Sequence, residues 1–143
     1  DKGLVERLAK VLNNLGVERA LVVHGEDGLD EITVTGKTFV SEVKDGSVTS
    51  YEISPVDFGF NLSSAEDIKG KDAKENAEIT KALLSGKLKG AKLDILLLNS
   101  GAAFYVAKAA GSIAEGVEKA KAIIESGKGL DVINKMAEFT RVA

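Results

Sequence analysis

The residues best suited to chemistry stand together in His24-Gly25-Glu26-Asp27-Gly28-Leu29-Asp30-Glu31, which follows the apolar run Ala20-Leu21-Val22-Val23 and gathers four carboxylates around two glycines. Rigid strands aim the loops at their carboxyl ends, and open α/β sheets bind ligands in the crevice there. Asp30 and Glu31 are adjacent. Such a pair suits a hard divalent ion that keeps several waters and completes its shell with substrate phosphates, a description that magnesium fits. Two carboxylates alone repel a phosphate, so a phosphate ester or diphosphate at this loop requires the metal between the charges. Gly25 and Gly28 allow a tight turn and close backbone approach to a ligand. With His24, they are the residues available to touch a substrate. His24 at the strand end is either an acid-base group or, as a lone histidine more often is, a hydrogen-bonded structural residue.

The competing reading of the Asp30-Glu31 pair is a solvated loop. The spacing does not match the calcium loop D-x-[DN]-x-[DN]-G, and the chain contains no P-loop and no G-x-G-x-x-G. Lys and Arg residues are scattered singly, as on a solvated face rather than in a phosphate clamp. The residues therefore offer half of a phosphate site, the metal ligands without a basic counterpart. Asn76 and Asn99 lie in otherwise helical stretches, placed to hydrogen-bond across elements or to face a ligand, with the structural role favoured. No catalytic residue is assigned.

The elements that must position this loop follow from periodicity. Leu4, Leu8, Val11, Leu12 and Leu15 fall at helical spacing and Gly16 sits at a left-handed C-cap, which predicts an amphipathic helix over 2–15 whose apolar stripe packs inward. Residues 18–24 form a short, continuously apolar run, as in a strand covered on both faces in a parallel sheet. Residues 37–44 and 47–53 flank Asp45-Gly46, a strong two-residue hairpin signal that sets Val43 opposite Val48 and Val40 opposite Tyr51. Pro55 ends the second of these strands. Asp72 with Glu75 caps a helix running to Leu84. Ser112 with Glu115 forms a capping box for a helix closed by Gly127. Residues 93–98 fit strand or helix by period, 102–110 favour helix, and Leu130, Val132, Ile133, Met136 and Phe139 mark a last helix. The small-residue stretch Ser100 to Ala107 points to close helix packing. The resulting fold class is α/β, with a buried strand, a β-hairpin and several packed helices. One hairpin and one strand cover too little of the helices' apolar surface, so further sheet partners are expected in a segment absent here, and an exposed apolar face is expected to promote self-association.

Composition narrows the function classes. A chain of 143 residues suits a single domain, and 44% hydrophobic with 29% charged residues is ordinary globular composition. The absence of cysteine excludes a disulfide framework and thiolate metal sites. A net charge of −3 with interspersed signs and few aromatics argues against a nucleic-acid partner. The apolar stretch Leu93 to Ala110 is interrupted by Asp94, Asn99 and Lys108, so it reads as a buried helix rather than a membrane span. With no secretory signal at its start, the chain is expected in the cytoplasm. Asp1 in first position suggests a piece of something longer.

Taken in order, His24-Gly25-x-x-Gly28-Leu29-Asp30-Glu31, Ser54-Pro55-x-Asp57-Phe58-Gly59, Asp72-x-x-x-Asn76-Ala77, Leu97-Leu98-Asn99, Glu115-Gly116-Val117 and Ile124-Glu125-Ser126-Gly127-Lys128 resemble the anthranilate phosphoribosyltransferase family across almost the whole chain. The resemblance implies a partial nucleoside phosphorylase/phosphoribosyltransferase-like α/β domain. It also implies transfer of phosphoribosyl from phosphoribosyl diphosphate to anthranilate in tryptophan biosynthesis, with Asp30 and Glu31 binding a magnesium ion associated with the diphosphate.

The likeness is confined to the C-terminal α/β part of that family. Its N-terminal helical domain, its glycine-rich donor loop and the residues that hold anthranilate precede this stretch, so residues 1–143 are expected to be inactive alone and to associate with the missing portion. Gly70-Lys71-Asp72 departs from the second glycine usual before that aspartate. The rival readings are a pyrimidine nucleoside phosphorylase-like fragment, against which the Gly-Leu-Asp-Glu element tells, and a non-catalytic folding or interaction module.

Overall fold

A three-stranded antiparallel sheet lies between one helix and a layer of helices. A computed structural model describes residues 1–141. Chain order runs α1 (Lys2–Asn14), β1 (Arg19–Gly25), β2 (Thr38–Lys44), β3 (Ser47–Ile53), a 3-10 turn (Pro55–Phe58), α2 (Ala65–Ile68), α3 (Ala73–Leu84), α4 (Ala91–Val106), α5 (Ile113–Glu125) and α6 (Lys128–Arg141).

The hairpin forms as its sequence dictates. Asp45 and Gly46 both take positive φ, 50° and 75°, the twist-matched two-residue turn. Val43 faces Val48 and Val40 faces Tyr51, as the turn requires.

β1 departs from expectation. It pairs antiparallel with β2, from Arg19 opposite Lys44 to Gly25 opposite Thr38, and is not part of a parallel sheet. A parallel neighbour needs a crossover helix, whereas 26–37 is a helix-free loop that turns straight back. The strand order β1-β2-β3 leaves one edge of β1 unpaired, which is why Arg19 to His24 are only half-buried although helices lie on both faces.

The faces follow strand alternation. Leu21 and Val23 pack on the main core, built from Leu93, Leu97, Leu98 and Ala102 of α4 with Ile113, Val117 and Ile124 of α5. Ala20, Val22 and His24 share the other face with Val43, Ser41 and Phe39, and Lys2 of α1 lies 3.3 Å from the Phe39 ring centroid on that side. Here too the expected packing changes: α1 buries Val5 and Ala9, while Leu4, Leu8, Val11 and Leu15 remain 46–75% exposed. The small Ala9, fully buried, lets the helix approach the sheet closely, which turns the larger leucines outward. Gly16, with φ 81°, ends α1 by donating its N–H to Asn13 O, while Val17 N–H reaches Leu12 O.

The helical layer largely follows the sequence. Asp72 and Ser112 accept the N–H groups of Glu75 and Glu115 at 2.8 and 3.1 Å. Glu115, however, accepts from Gly111 rather than Ser112, so the capping box is offset by a residue. α4 is one helix through the 93–98 ambiguity and stops at Val106, because Lys108 takes φ 59° and turns the chain. The small residues of α4 do permit close packing. A Cβ on Gly116 of α5 would lie 2.9 Å from Gly101 Cα, and one on Gly101 would lie 2.8 Å from Val117 N, so the two backbones touch.

Candidate functional site

The carboxylate loop leaves β1 at the buried Gly25 and closes on itself. Gly25 N–H donates to Leu29 O at 2.8 Å and Gly28 N–H to Gly25 O at 2.9 Å, with Gly28 at φ 93°. A Cβ at Gly25 would displace the Asp27 carboxylate and stand 3.2 Å from Thr33 Cβ, so a larger residue there disturbs the turn that Asp27 holds. Asp27 organises the turn. Its Oδ1 accepts Leu29 N–H at 3.1 Å, and its Oδ2 accepts Thr33 Oγ1 at 2.5 Å and also Thr35 Oγ1. Burial pushes the Asp27 pKa up, but these donors outweigh it and hold the group below the usual carboxylate value. The loop base is closed by Glu26, whose N–H donates to Lys37 O at 2.8 Å while its Oε2 accepts Lys37 N–H at 3.2 Å.

Asp30 and Glu31 are thus suspended between two fixed peptides. Leu29 is pinned by Gly25 and Asp27. Ile32, 2% exposed in the main core, is held through its peptide by Asn99 of α4, which accepts Ile32 N–H at 3.0 Å and donates to Ile32 O at 2.8 Å. Both acidic residues are exposed. Desolvation of the Glu31 carboxyl, followed by the like charges of Asp30 and Asp27, raises its pKa above the ordinary value. Among the described residues neither carboxylate forms an ion pair with a lysine, arginine or histidine.

Magnesium fits this donor set in one way only. Among the described residues no group of three or more His, Cys, Asp or Glu side chains comes together as a metal cage. What remains is two open, mutually repelling carboxylates, which fit a hard cation that keeps waters and takes oxygens from a phosphorylated ligand. Glu31 also borders a cleft of about 350 Å³ lined by Ile68, Gly70, Asn76, Lys92 and Asn99. That gives a ligand room beside the pair.

Residues 1–130 match the glycosyl transferase family, a/b domain. The chain belongs to this family. It is 50% identical over 141 residues to the anthranilate phosphoribosyltransferase of Thermoanaerobacter sp. (strain X514), covering 99% of this chain and 41% of that protein. The chain thus spans about two fifths of the length of that curated relative. It superposes on the crystal structure of anthranilate phosphoribosyltransferase from Thermus thermophilus with a TM-score of 0.88 and 35% identity, over 99% of this chain and 41% of that one. Structures of the Saccharomyces cerevisiae enzyme superpose over 92% of this chain and 38% of theirs at 28% identity. One is in complex with PRPP and Mg (TM-score 0.81) and another with 4-fluoroanthranilate (0.82).

Within this glycosyl transferase a/b domain, the remaining site candidates fall into distinct places. Gly25 and Gly28 shape the loop that carries Asp30 and Glu31. His24 does not join them: it is the cross-strand neighbour of Phe39 on the α1 side of the sheet, and no hydrogen bond links it to either carboxylate among the described residues. Asn76 bonds locally rather than across elements, accepting Lys71 N–H at 2.8 Å and donating to Lys71 O at 3.0 Å, so it shapes the turn that leads into its own helix α3. The sequence reading missed Asp27, Thr33 and Thr35 as the framework of the loop. Their signal was an aspartate followed by threonines at alternate positions, Thr33-x-Thr35. No helix among the described residues is long and apolar enough to cross a membrane.

Proposed function

We propose that this chain is the C-terminal α/β portion of an anthranilate phosphoribosyltransferase, in which Asp30 and Glu31 hold the magnesium ion of phosphoribosyl diphosphate. The observation that carries this reading is the pair of open carboxylates on a loop pinned at Leu29 and Ile32, in a chain 28% identical to a yeast enzyme whose structure contains PRPP and Mg. When bound there, magnesium would offset the charge of the diphosphate and stabilise it as a leaving group. The chain's own residues orient and bind. Asp27, Thr33 and Thr35 fix the turn, Gly25 and Gly28 keep it slim, and Asp30 and Glu31 present anionic oxygens outward. Fixed geometry of this kind is where enzymes gain much of their rate advantage.

On this reading the glycine-rich donor loop and the residues that hold anthranilate lie in the part of the enzyme that this chain does not cover, and the chain alone is inactive. The exposed Leu4, Leu8, Val11 and Leu15 of α1 and the open edge of β1 support association with that part.

Calorimetric titration of phosphoribosyl diphosphate into the chain, with and without magnesium, tests the proposal. The expected result is binding that requires magnesium and is lost in Asp30→Asn. Equal donor affinity without magnesium, or in that variant, would overturn the ligand assignment.

A further inference from the structure

Asn99 is polar in the middle of Leu96-Leu97-Leu98-Asn99-Ser100-Gly101, the most apolar helix of the chain, and a half-buried amide there must find partners. It satisfies both ends of its side chain. Oδ1 accepts Ile32 N–H at 3.0 Å, and Nδ2 donates to Ile32 O at 2.8 Å and to Ile95 O at 2.9 Å. The first two bonds imitate a β-bridge to a single residue 67 positions away in sequence, one to the N–H of the 31–32 peptide and one to the carbonyl of the 32–33 peptide. That residue immediately follows Glu31. On the other side of the pair, Leu29 is fixed through its N–H by Asp27 at 3.1 Å and through its carbonyl by Gly25 at 2.8 Å. Only Asp30 and Glu31 lie between the two fixed points.

We infer that Asn99 is a positioning residue for the Asp30-Glu31 pair, carrying the rigidity of α4 into the loop and setting the separation and direction of the two carboxylates. The inference rests on reading that pair as the metal ligands. The Ile32 side chain anchors only its own Cα in the core, so rotation of the 31–32 peptide is left to the Asn99 clamp. That peptide's orientation decides where the Glu31 carboxylate points. Groups that orient metal ligands from behind typically change metal affinity by about 10–100-fold when removed.

The test is manganese binding to the full chain, read by water-proton relaxation, with manganese as the hard divalent probe. Two variants remove the clamp: Asn99→Ala, and the gentler Asn99→Ser, whose hydroxyl can bond back to Ile95 O within α4 but cannot span to Ile32. Val117→Ala, which hollows the same core without touching the loop, reports the effect of destabilisation alone. Amide exchange at Ile32 gives a readout independent of metal. The expected result is about 10–100-fold weaker manganese binding and faster Ile32 exchange in both Asn99 variants, with wild-type affinity in Val117→Ala. Wild-type affinity in Asn99→Ser, or equal loss in Val117→Ala, overturns the inference while leaving Asp30 and Glu31 as ligands. Manganese affinity undiminished in Asp30→Asn refutes the ligand assignment itself and the role of Asn99 with it, and unchanged Ile32 exchange in both Asn99 variants overturns the clamp.

Discussion

The α4–α5 crossing and the 25–31 loop both depend on close backbone approach, but opposite kinds of interaction hold them. At the crossing no side-chain hydrogen bond joins the two helices among the described residues: Gly101 meets Gly116 and Val117 directly, and contact without voids supplies the stabilisation. In the loop the backbone is fixed by Asp27, Thr33, Thr35 and Asn99 through hydrogen bonds, and Asp30 and Glu31 remain open to solvent. The stabilising core and the proposed metal site are therefore housed separately, and each can be disturbed while the other stands. The largest effect is expected from Gly116→Ala. Its methyl would stand 2.9 Å from Gly101 Cα, where backbone and not a flexible side chain must give way, so α4 and α5 must separate. A loss of about 3 kcal/mol is expected in denaturant unfolding, with metal affinity of the folded fraction unchanged.

Asp30→Asn is the converse. It removes one anionic group of the proposed metal site from an exposed position, so manganese affinity should fall at least about tenfold, while the unfolding free energy changes by less than about 0.5 kcal/mol. A large stability change in this variant would mean that the loop carries structural weight and that the separation of roles is false.

Asp27→Asn falls between these two. It keeps the shape but weakens charge-assisted acceptance from Thr33, Thr35 and Leu29. About 1 kcal/mol is expected after discounting for exposure. The folded-state pKa of Asp27 lies below its unfolded value, so its contribution is present above the unfolded pKa and lost as pH falls through the folded one. An acid titration of stability should therefore be shallower in Asp27→Asn than in the unaltered chain.

On the alkaline side the sheet and α4 share another polar pin. Glu42 of β2 accepts from Tyr51 Oη at 3.0 Å and from Tyr105 Oη of α4. Burial, then the Glu42 charge, raises the Tyr51 pKa. For Tyr105 the Glu42 hydrogen bond acts first and burial second, in the same direction. Both phenols are raised in the folded state, so their stabilisation is complete below the unfolded tyrosine pKa of about 10 and is lost as pH rises beyond it. Thermal unfolding followed from neutral pH to about pH 11 should show this loss, and Tyr51→Phe should flatten it. An identical alkaline slope in the variant would remove Tyr51 from the account.

Local signals sufficed wherever a structure is fixed by neighbours in the chain: Asp45-Gly46 set the hairpin register, Asp72 capped α3, and Gly16 ended α1. The Asp30-Glu31 pair was visible by type and adjacency. What could not be read depends on partners far along the chain. The antiparallel pairing of β1 is invisible in Ala20 to Val23, because a continuous apolar run records burial and not strand direction. The Asn99 clamp spans 67 positions, and only an asparagine amid leucines hinted that a partner must exist. Asp27 is by type one more carboxylate of the loop, and only the folded turn brings Thr33 and Thr35, nearer in sequence, onto it.

The smallest effect on stability is expected on the outer face of α1, where helical spacing in the sequence resembles that of a core helix but nothing among the described residues covers Leu8 or Leu15, 50% and 75% exposed. Contiguous exposed leucines cost little in the isolated fold but favour contact with other apolar surfaces. Leu8→Lys should thus change the unfolding free energy by no more than about 0.5 kcal/mol and reduce concentration-dependent self-association in sedimentation velocity. The same substitution would cost several times more if Leu8 packed as Leu97 and Leu98 do. A large loss of stability would therefore mean that α1 is rotated about its axis, with its leucines turned in toward β2. Unchanged self-association together with unchanged stability would show that the sticky surface lies elsewhere, and the exposed Val132, Met136 and Phe139 of α6 are the next face to alter.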